Sequence, residues 1–327
     1  MPTGGTFLYR SLQQRLAKVI GRRLKTLHFH NGDLIPNFAD LTPGVRTVIQ
    51  EEVLDYGEAG LMAPEAADIP LVAVEAQDAE YRVVYPMAGF SYSFQESLTQ
   101  QAAESDPYIT RINTRRSKMQ GARRVIEERC NDVAAYGESG LGFTGLLNNA
   151  NVTLNDSTFD PFDAASTPDQ IIEWFLNEVG GVAVDTNNVE HPTVALVSTE
   201  LDNLFDRKRL PDAPETIKSF ILRTQRERSQ RVPGGIQDII GIQECRSSRL
   251  EAKGVHSAGN NKDRIALYDM DPENLERHIM PGLMDMFPED WVETRGGRKI
   301  YPMYSCVSET IIPFPGAIRY LDHPKKP

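Results

Sequence analysis

Gly140, Gly142 and Gly145 are spaced as G-x-G-x-x-G, the pattern that cradles a dinucleotide pyrophosphate on backbone N–H groups at a helix N-terminus. That chemistry needs a strand entering the glycine turn and a helix leaving it. Here the order is reversed. Residues 105–136 read as helix into the turn, and Leu146-Leu-Asn-Asn-Ala-Asn-Val-Thr-Leu-Asn leaves it as turn and extended chain. The glycines are therefore expected to end a helix and form a tight connection, not to hold a nucleotide.

His28-Phe-His30 is the only close histidine pair. On a strand, residues i and i+2 share a face and can ligate a metal, but no nearby cysteine or carboxylate cluster completes a site. His191, His256, His278 and His323 are scattered and read as surface or loop residues. G-x-S-x-G elbows, Walker loops and H-E-x-x-H are absent. Cys130, Cys245 and Cys306 are odd in number and far apart, which fits neither a disulfide framework nor a zinc knuckle and suits a reducing, intracellular setting. No catalytic, cofactor-binding or metal-binding residue is assigned, and a nucleotide- or metal-dependent enzyme stands as the alternative class.

With 327 residues, 40% hydrophobic and 25% charged, this is an ordinary globular chain, long enough for two subdomains. No apolar run approaches the ~20 residues that span a bilayer, and the basic N-terminus lacks the apolar core and cleavage site of a signal peptide. The net charge of -11 is uneven: residues 1–32 carry the six cations Arg10, Arg15, Lys18, Arg22, Arg23 and Lys25 and no acid, so the remainder sums to -17. An acidic body argues against a main surface that grips nucleic acid, whereas the basic arm suits a neighbouring subunit or a polyanion.

The arm places Leu8, Leu12, Leu16, Val19, Ile20, Leu24 and Leu27 at helical spacing, either to dock elsewhere or to pack on its own core. Extended runs at 45–53 and 71–76 flank a middle with Gly57, Gly60, Pro64 and Pro70, which reads as a two-stranded projection. Glu51, Glu52, Asp55 and Glu58 are among its acids, and residues 47–79 hold no lysine or arginine. Residues 80–94 alternate as strand, most clearly in Phe90-Ser-Tyr-Ser-Phe94, and a short helix is expected at 95–104. Asp106 and Pro107 offer an N-cap and N1 for a long helix ending at Gly137, with Ile109, Ile112, Met119, Ala122, Ile126, Cys130 and Val133 as its apolar stripe. Arg111, Arg115, Arg116, Lys118, Arg123 and Arg124 make its first two-thirds basic, a strip able to dock the acidic ribbon. Beyond the glycine turn, helices are expected at 168–179, 198–207 and 214–225, strands at 193–197, 236–245 and 264–268, a mobile loop at 247–263, and a strand-rich final sixty residues.

This order of parts resembles the major capsid proteins of tailed bacteriophages, the Hong Kong 97-type fold shared with encapsulins. The resemblance is most specific at Phe90-Ser-Tyr-Ser-Phe-Gln-Glu-Ser-Leu, Tyr136-Gly137 with Gly145-Leu-Leu-Asn, and Ile311-Ile-Pro-Phe-Pro-Gly-Ala-Ile-Arg-Tyr-Leu. It implies an α+β capsid fold with an N-arm (1–46), an E-loop (47–79), a peripheral domain (80–165 and 270–327) carrying the spine helix, and an axial domain (166–269) around the capsomer centre. It implies a virion structural protein, not an enzyme, that is assembled in the host cytoplasm from pentamers and hexamers into an icosahedral shell around double-stranded DNA. Partners implied are further copies of itself and scaffolding, portal and cement proteins, with no cofactor, no membrane and no sequence-specific DNA binding. Assembly guidance would come from a separate protein or from an extension already removed. An encapsulin-like compartment is the runner-up.

Some members of that family weld their shells by an isopeptide bond from an E-loop lysine, and this chain has no lysine between Lys25 and Lys118. Crosslinking through the ribbon is therefore chemically unavailable. Particles boiled in detergent should run as one band near 36.6 kDa; a reductant-resistant ladder of oligomers would contradict this.

Overall fold

The computed structural model describes residues 25–56, 73–105, 114–211, 214–229, 234–282, 285–286, 293–295 and 297–326. Arm residues 1–24, the ribbon tip with Glu58, and residues 106–113 with Asp106, Pro107, Ile109, Arg111 and Ile112 lie outside the described residues, as do the side chains of Glu52 and Asp55.

The helices are α1 (His28–Asn31), α2 (Phe94–Ser105), α3 (Thr114–Tyr136), α4 (Pro168–Asp185), α5 (Thr199–Arg207), α6 (Ile217–Ser229) and α7 (Ser247–Ala252). The strands are β1 (Asn37–Phe38), β2 (Thr47–Tyr56), β3 (Ala73–Val84), β4 (Met87–Ser93), β5 (Thr153–Asp156), β6 (Val194–Ser198) and β7 (Asp238–Ile242). They continue with β8 (Lys262–Tyr268), β9 (Arg277–His278), β10 (Asp285–Met286), β11 (Glu293–Arg295), β12 (Arg298–Tyr304), β13 (Val307–Ser308) and β14 (Ile318–Pro324). A five-stranded sheet runs β5-β14-β8-β6-β7; smaller sheets join β13-β3-β2, β10-β12-β11 with β4, and β1 with β9.

Period-two alternation divides the large sheet into two faces. Val194, Leu196, Ala266, Tyr268, Ile318 and Tyr320 point to a core shared with Ala134, Ala135, Tyr136, Leu146 and Leu147. Ala195, Val197, Ile265, Leu267 and Leu321 point the other way, onto the apolar stripes of α4, α5 and α6. Thr167 opens α4 with a reciprocal capping box to Gln170, and Ser198 caps α5. Helix α4 is longer than its spacing suggested because Val182 and Ala183 continue the buried stripe. A third core lays Ala122, Ile126, Cys130 and Val133 of α3 on Phe90 and Met303, with Met119 left exposed.

Strand β14 lies between β5 and β8, in a seven-residue register with β8, so residues 153–156 and 318–324 complete the sheet of the segment between them. The loop expected at 247–263 is ordered: α7 occupies its start, Ser247 N–H donates to Asp263 (2.8 Å), and Glu251 accepts from the N–H groups of Gly259 and Asn261.

The glycine turn ties the cores together. Gly137 ends α3 with φ 68°, and a Cβ on Gly145 would sit 2.3 Å from Gly137 N. Past the turn, Leu146 and Leu147 donate back to the carbonyls of Ala134 and Ala135. Tyr320 Oη donates to Leu146 O, and Arg264 Nη1 donates to Leu147 O (2.7 Å). Arg264 in turn holds Asp322 through two bonds, 2.8 and 2.9 Å, and His256 Nε2 lies 2.9 Å from the same carboxylate, all three buried. Burial alone would raise the Asp322 pKa, but bonds from Arg264 and His256 outweigh it and the net shift is downward. His256 and His323 are thus core residues, not the surface residues that scatter suggested.

Gly145→Ala should destabilise the fold by at least ~3 kcal/mol, a backbone clash, whereas Gly140→Ala, whose Cβ would meet nothing closer than 3.8 Å, should stay within ~0.5 kcal/mol of the parent. Chemical denaturation of both variants checks this; equal effects would mean the turn has some other role.

Candidate assembly surfaces

Strands β2 and β3 form a ribbon paired over ten residues, from Thr47 opposite Arg82 to Tyr56 opposite Ala73. Its register sets Glu51 directly across from Asp78, both exposed, and neither takes a cation among the described residues. Like charges in this position oppose pairing. Glu52 stands opposite Gln77 and Asp55 opposite Val74. Strand β2 is an edge of its sheet, and Ile49 on it is 57% exposed. A two-stranded ribbon with a mutually repelling pair and one open edge is poorly stabilised by itself.

At its root the ribbon is fixed firmly. Val83 and Val84 pair with β13, Glu309 accepts from the N–H groups of Arg82 (2.9 Å) and Thr144 (3.2 Å), and Arg82 Nη1 donates to Leu141 O. The buried Glu309 carboxylate therefore joins the ribbon to the glycine turn. Tyr85 Oη donates to Val45 O and accepts from Gly44 N–H on the outgoing side.

The basic strip of α3 is occupied within its own chain. Lys118 Nζ lies 2.6 Å from Glu96 and donates to Ser91 O. Its hydrogen bond, followed by that from Ser93 N–H, lowers the Glu96 pKa. Arg123 and Arg124 pair with Glu127 and Glu128 one turn on, and Arg124 also donates to Lys25 O. The Arg115 guanidinium sits 5.0 Å over the Tyr301 ring. Arg116 is exposed. The strip thus keeps its place on the solvent side, yet its acids come from beside and after it, which the count of uncompensated cations along 111–124 had not included. Such surface pairs, several of them half-buried, are worth ~0–1 kcal/mol where solvent reaches them.

Residues 25–38 cross α3. Asn131 Oδ1 accepts from the N–H groups of Phe29 and His30, and the fully buried Arg277 donates to Phe29 O and Cys130 O. His28 and His30 lie on the helical turn α1, not on a strand, so they do not share a face; burial lowers the His30 pKa. Neither Arg277 nor Asn131 was singled out from sequence, because nothing local marks a cation that will meet carbonyls from two distant segments.

No curated protein sequence matches the chain. Among solved structures, the capsid of Myoviridae phage XM1 superposes with a TM-score of 0.72 at 14% identity, covering 98% of this chain and 100% of that one. A chain of Gordonia phage Cozz gives 0.60 at 10% identity, with 99% and 95% covered. An encapsulin of Synechococcus elongatus PCC 7942 gives 0.50 at 13% identity, with 97% and 94% covered. The fold is the Hong Kong 97-like capsid fold. The family profile described as Major capsid protein matches residues 57–323, and the chain accordingly belongs to the major capsid protein family, as a structural component of a phage shell.

Proposed function

We propose that the protein assembles, without performing a reaction, into a closed icosahedral shell of pentamers and hexamers around the double-stranded DNA of a tailed phage. The observation that carries this is the end-to-end match to the XM1 capsid, with 100% of that chain covered. Assembly takes place in the host cytoplasm, with scaffolding, portal and cement proteins as partners. The encapsulin reading has weaker support, since that superposition has a TM-score of 0.50.

Residues 1–46 act as the arm and the ribbon as the E-loop. The axial unit, expected at 166–269, extends to residues 153–156 and 318–324, whose strands share its sheet. Glu51, Glu52, Asp55 and Glu58 of one ribbon meet Arg111, Arg115, Arg116, Lys118, Arg123 and Arg124 on an adjacent copy. The support is the uncompensated Glu51 and Asp78 pair on the ribbon and the weakly held cations on α3.

Particles purified from infected cells should protect DNA of genome length from added nuclease; shells holding a cargo protein and no DNA would favour the compartment reading. Glu51→Lys with Glu52→Lys should slow shell formation, and more at low salt, because screening over ~10 Å already operates at 0.1 M. Light scattering that records one rate at all ionic strengths would remove the ribbon pairing.

A further inference from the structure

Helix α5 has two working faces. Leu201 and Phe205 are buried in the core, while Glu200, Asn203, Leu204 and Arg207 follow the i, i+3, i+4, i+7 spacing that puts side chains on one stripe. That stripe lines an open cleft of about 680 Å³. The rest of the lining is Lys208 at the end of α5, Phe162 from the loop before α4, and Lys326 from the chain after β14. Phe162 packs on the ring of the buried His323, 6.1 Å away, and Lys208 Nζ donates to Ser166 O of the same loop. Both contacts fix that loop in place beside α5.

The charge of the cleft is one-sided. Among the described residues that line it Glu200 is the only acid, and Arg246 already holds it at 2.6 Å. Asp163 acts on Lys208 from outside the lining, where it accepts from Ala165 N–H (3.0 Å). Arg207 and Lys326 are exposed and take no acid among the described residues. Lys208 keeps two N–H groups beyond the one given to Ser166 O, and burial lowers its pKa, as expected of a cation short of counter-charge. The C-terminal end of α5 amounts to about half a negative charge, which one cation answers. Three cations in one cleft exceed what the chain places there to meet them.

We propose that this cleft binds a phosphate group, with Arg207, Lys208 and Lys326 as its donors and with Phe162 and Leu204 as the apolar side on which the rest of the ligand lies. A phosphate suits three separate cations better than a carboxylate does, since it offers at least three acceptor oxygens and more than one charge. Two sources carry that group: the backbone of a nucleic acid and a free phosphate or phosphate ester. The inference stands on the cleft alone and goes beyond the capsid reading, because it names a ligand that shell closure does not require.

The test titrates the full-length chain with inorganic phosphate, and with chloride at matched ionic strength. Phosphate should raise the melting temperature saturably where chloride does not. Arg207→Gln with Lys326→Gln should keep the parent melting temperature without phosphate, since no intrachain ion pair is lost, yet weaken phosphate binding at least ~10-fold by calorimetry. Arg226→Gln with Arg228→Gln, two exposed cations of α6 outside the cleft, should bind phosphate as the parent does. Short duplex DNA separates the sources. If it displaces phosphate, and the cleft variant lowers the slope of log affinity against log salt by about two, the ligand is the nucleic-acid backbone. If phosphate stays bound, the ligand is the free phosphate or its ester. A melting temperature that responds to phosphate no more than to chloride, or cleft and α6 variants that bind phosphate equally, would overturn the proposal.

Discussion

Everything in this chain hangs on the place where two stretches of backbone touch, Tyr136-Gly137 at the end of α3 and Gly145 after the turn. No side chain fits between them, since a Cβ on Gly145 would lie 2.6 Å from Tyr136 N and 2.3 Å from Gly137 N. The reversal this permits delivers Leu146 and Leu147, both fully buried, from the end of the long helix directly into the sheet core. Burial of two such side chains is worth ~1.5–3 kcal/mol each. Tyr320 and Arg264 then hold their carbonyls from the sheet side, and Tyr136 Oη donates to Glu244 O from the helix side. Helix and sheet are thereby one unit, and the ribbon inherits that rigidity through Glu309, which bonds Thr144 of the same turn.

What the single copy leaves unfinished is electrostatic. Lys118, Arg123 and Arg124 of α3 find acids nearby, but Glu51 and Asp78 confront each other on the ribbon. None of these groups is buried enough to demand a partner in isolation. Exposed pairs contribute ~0–1 kcal/mol. Repeated around a closed array, contacts of that size become large in sum while each stays weak enough to correct a wrong encounter. Strength comes from number, and direction from charge.

The sequence carried much of this. Glycines with helix before and extended chain after were legible as a connection, and the alternation at 90–94, the capped helix at 198–207 and the acid-only ribbon all stand where their patterns placed them. The misses share one physical cause: long-range pairing leaves no local trace. The parallel pairing of Arg319 with Thr153 joins β14 to a strand more than 160 residues earlier, which no local pattern announces. Buried His256 and His323 looked like loop residues because their surroundings come from remote strands. The loop at 247–263 is ordered by Glu251 and Asp263, acids that composition alone counts as solvated.

The central claim is that this fold is a shell subunit, and cryo-electron microscopy of the purified product tests it most directly. Closed particles whose reconstruction places one chain in rings of five and six, each ribbon lying on a neighbouring subunit, is the result expected. Only monomers or dimers under every assembly condition, including with phage partner proteins present, would contradict it.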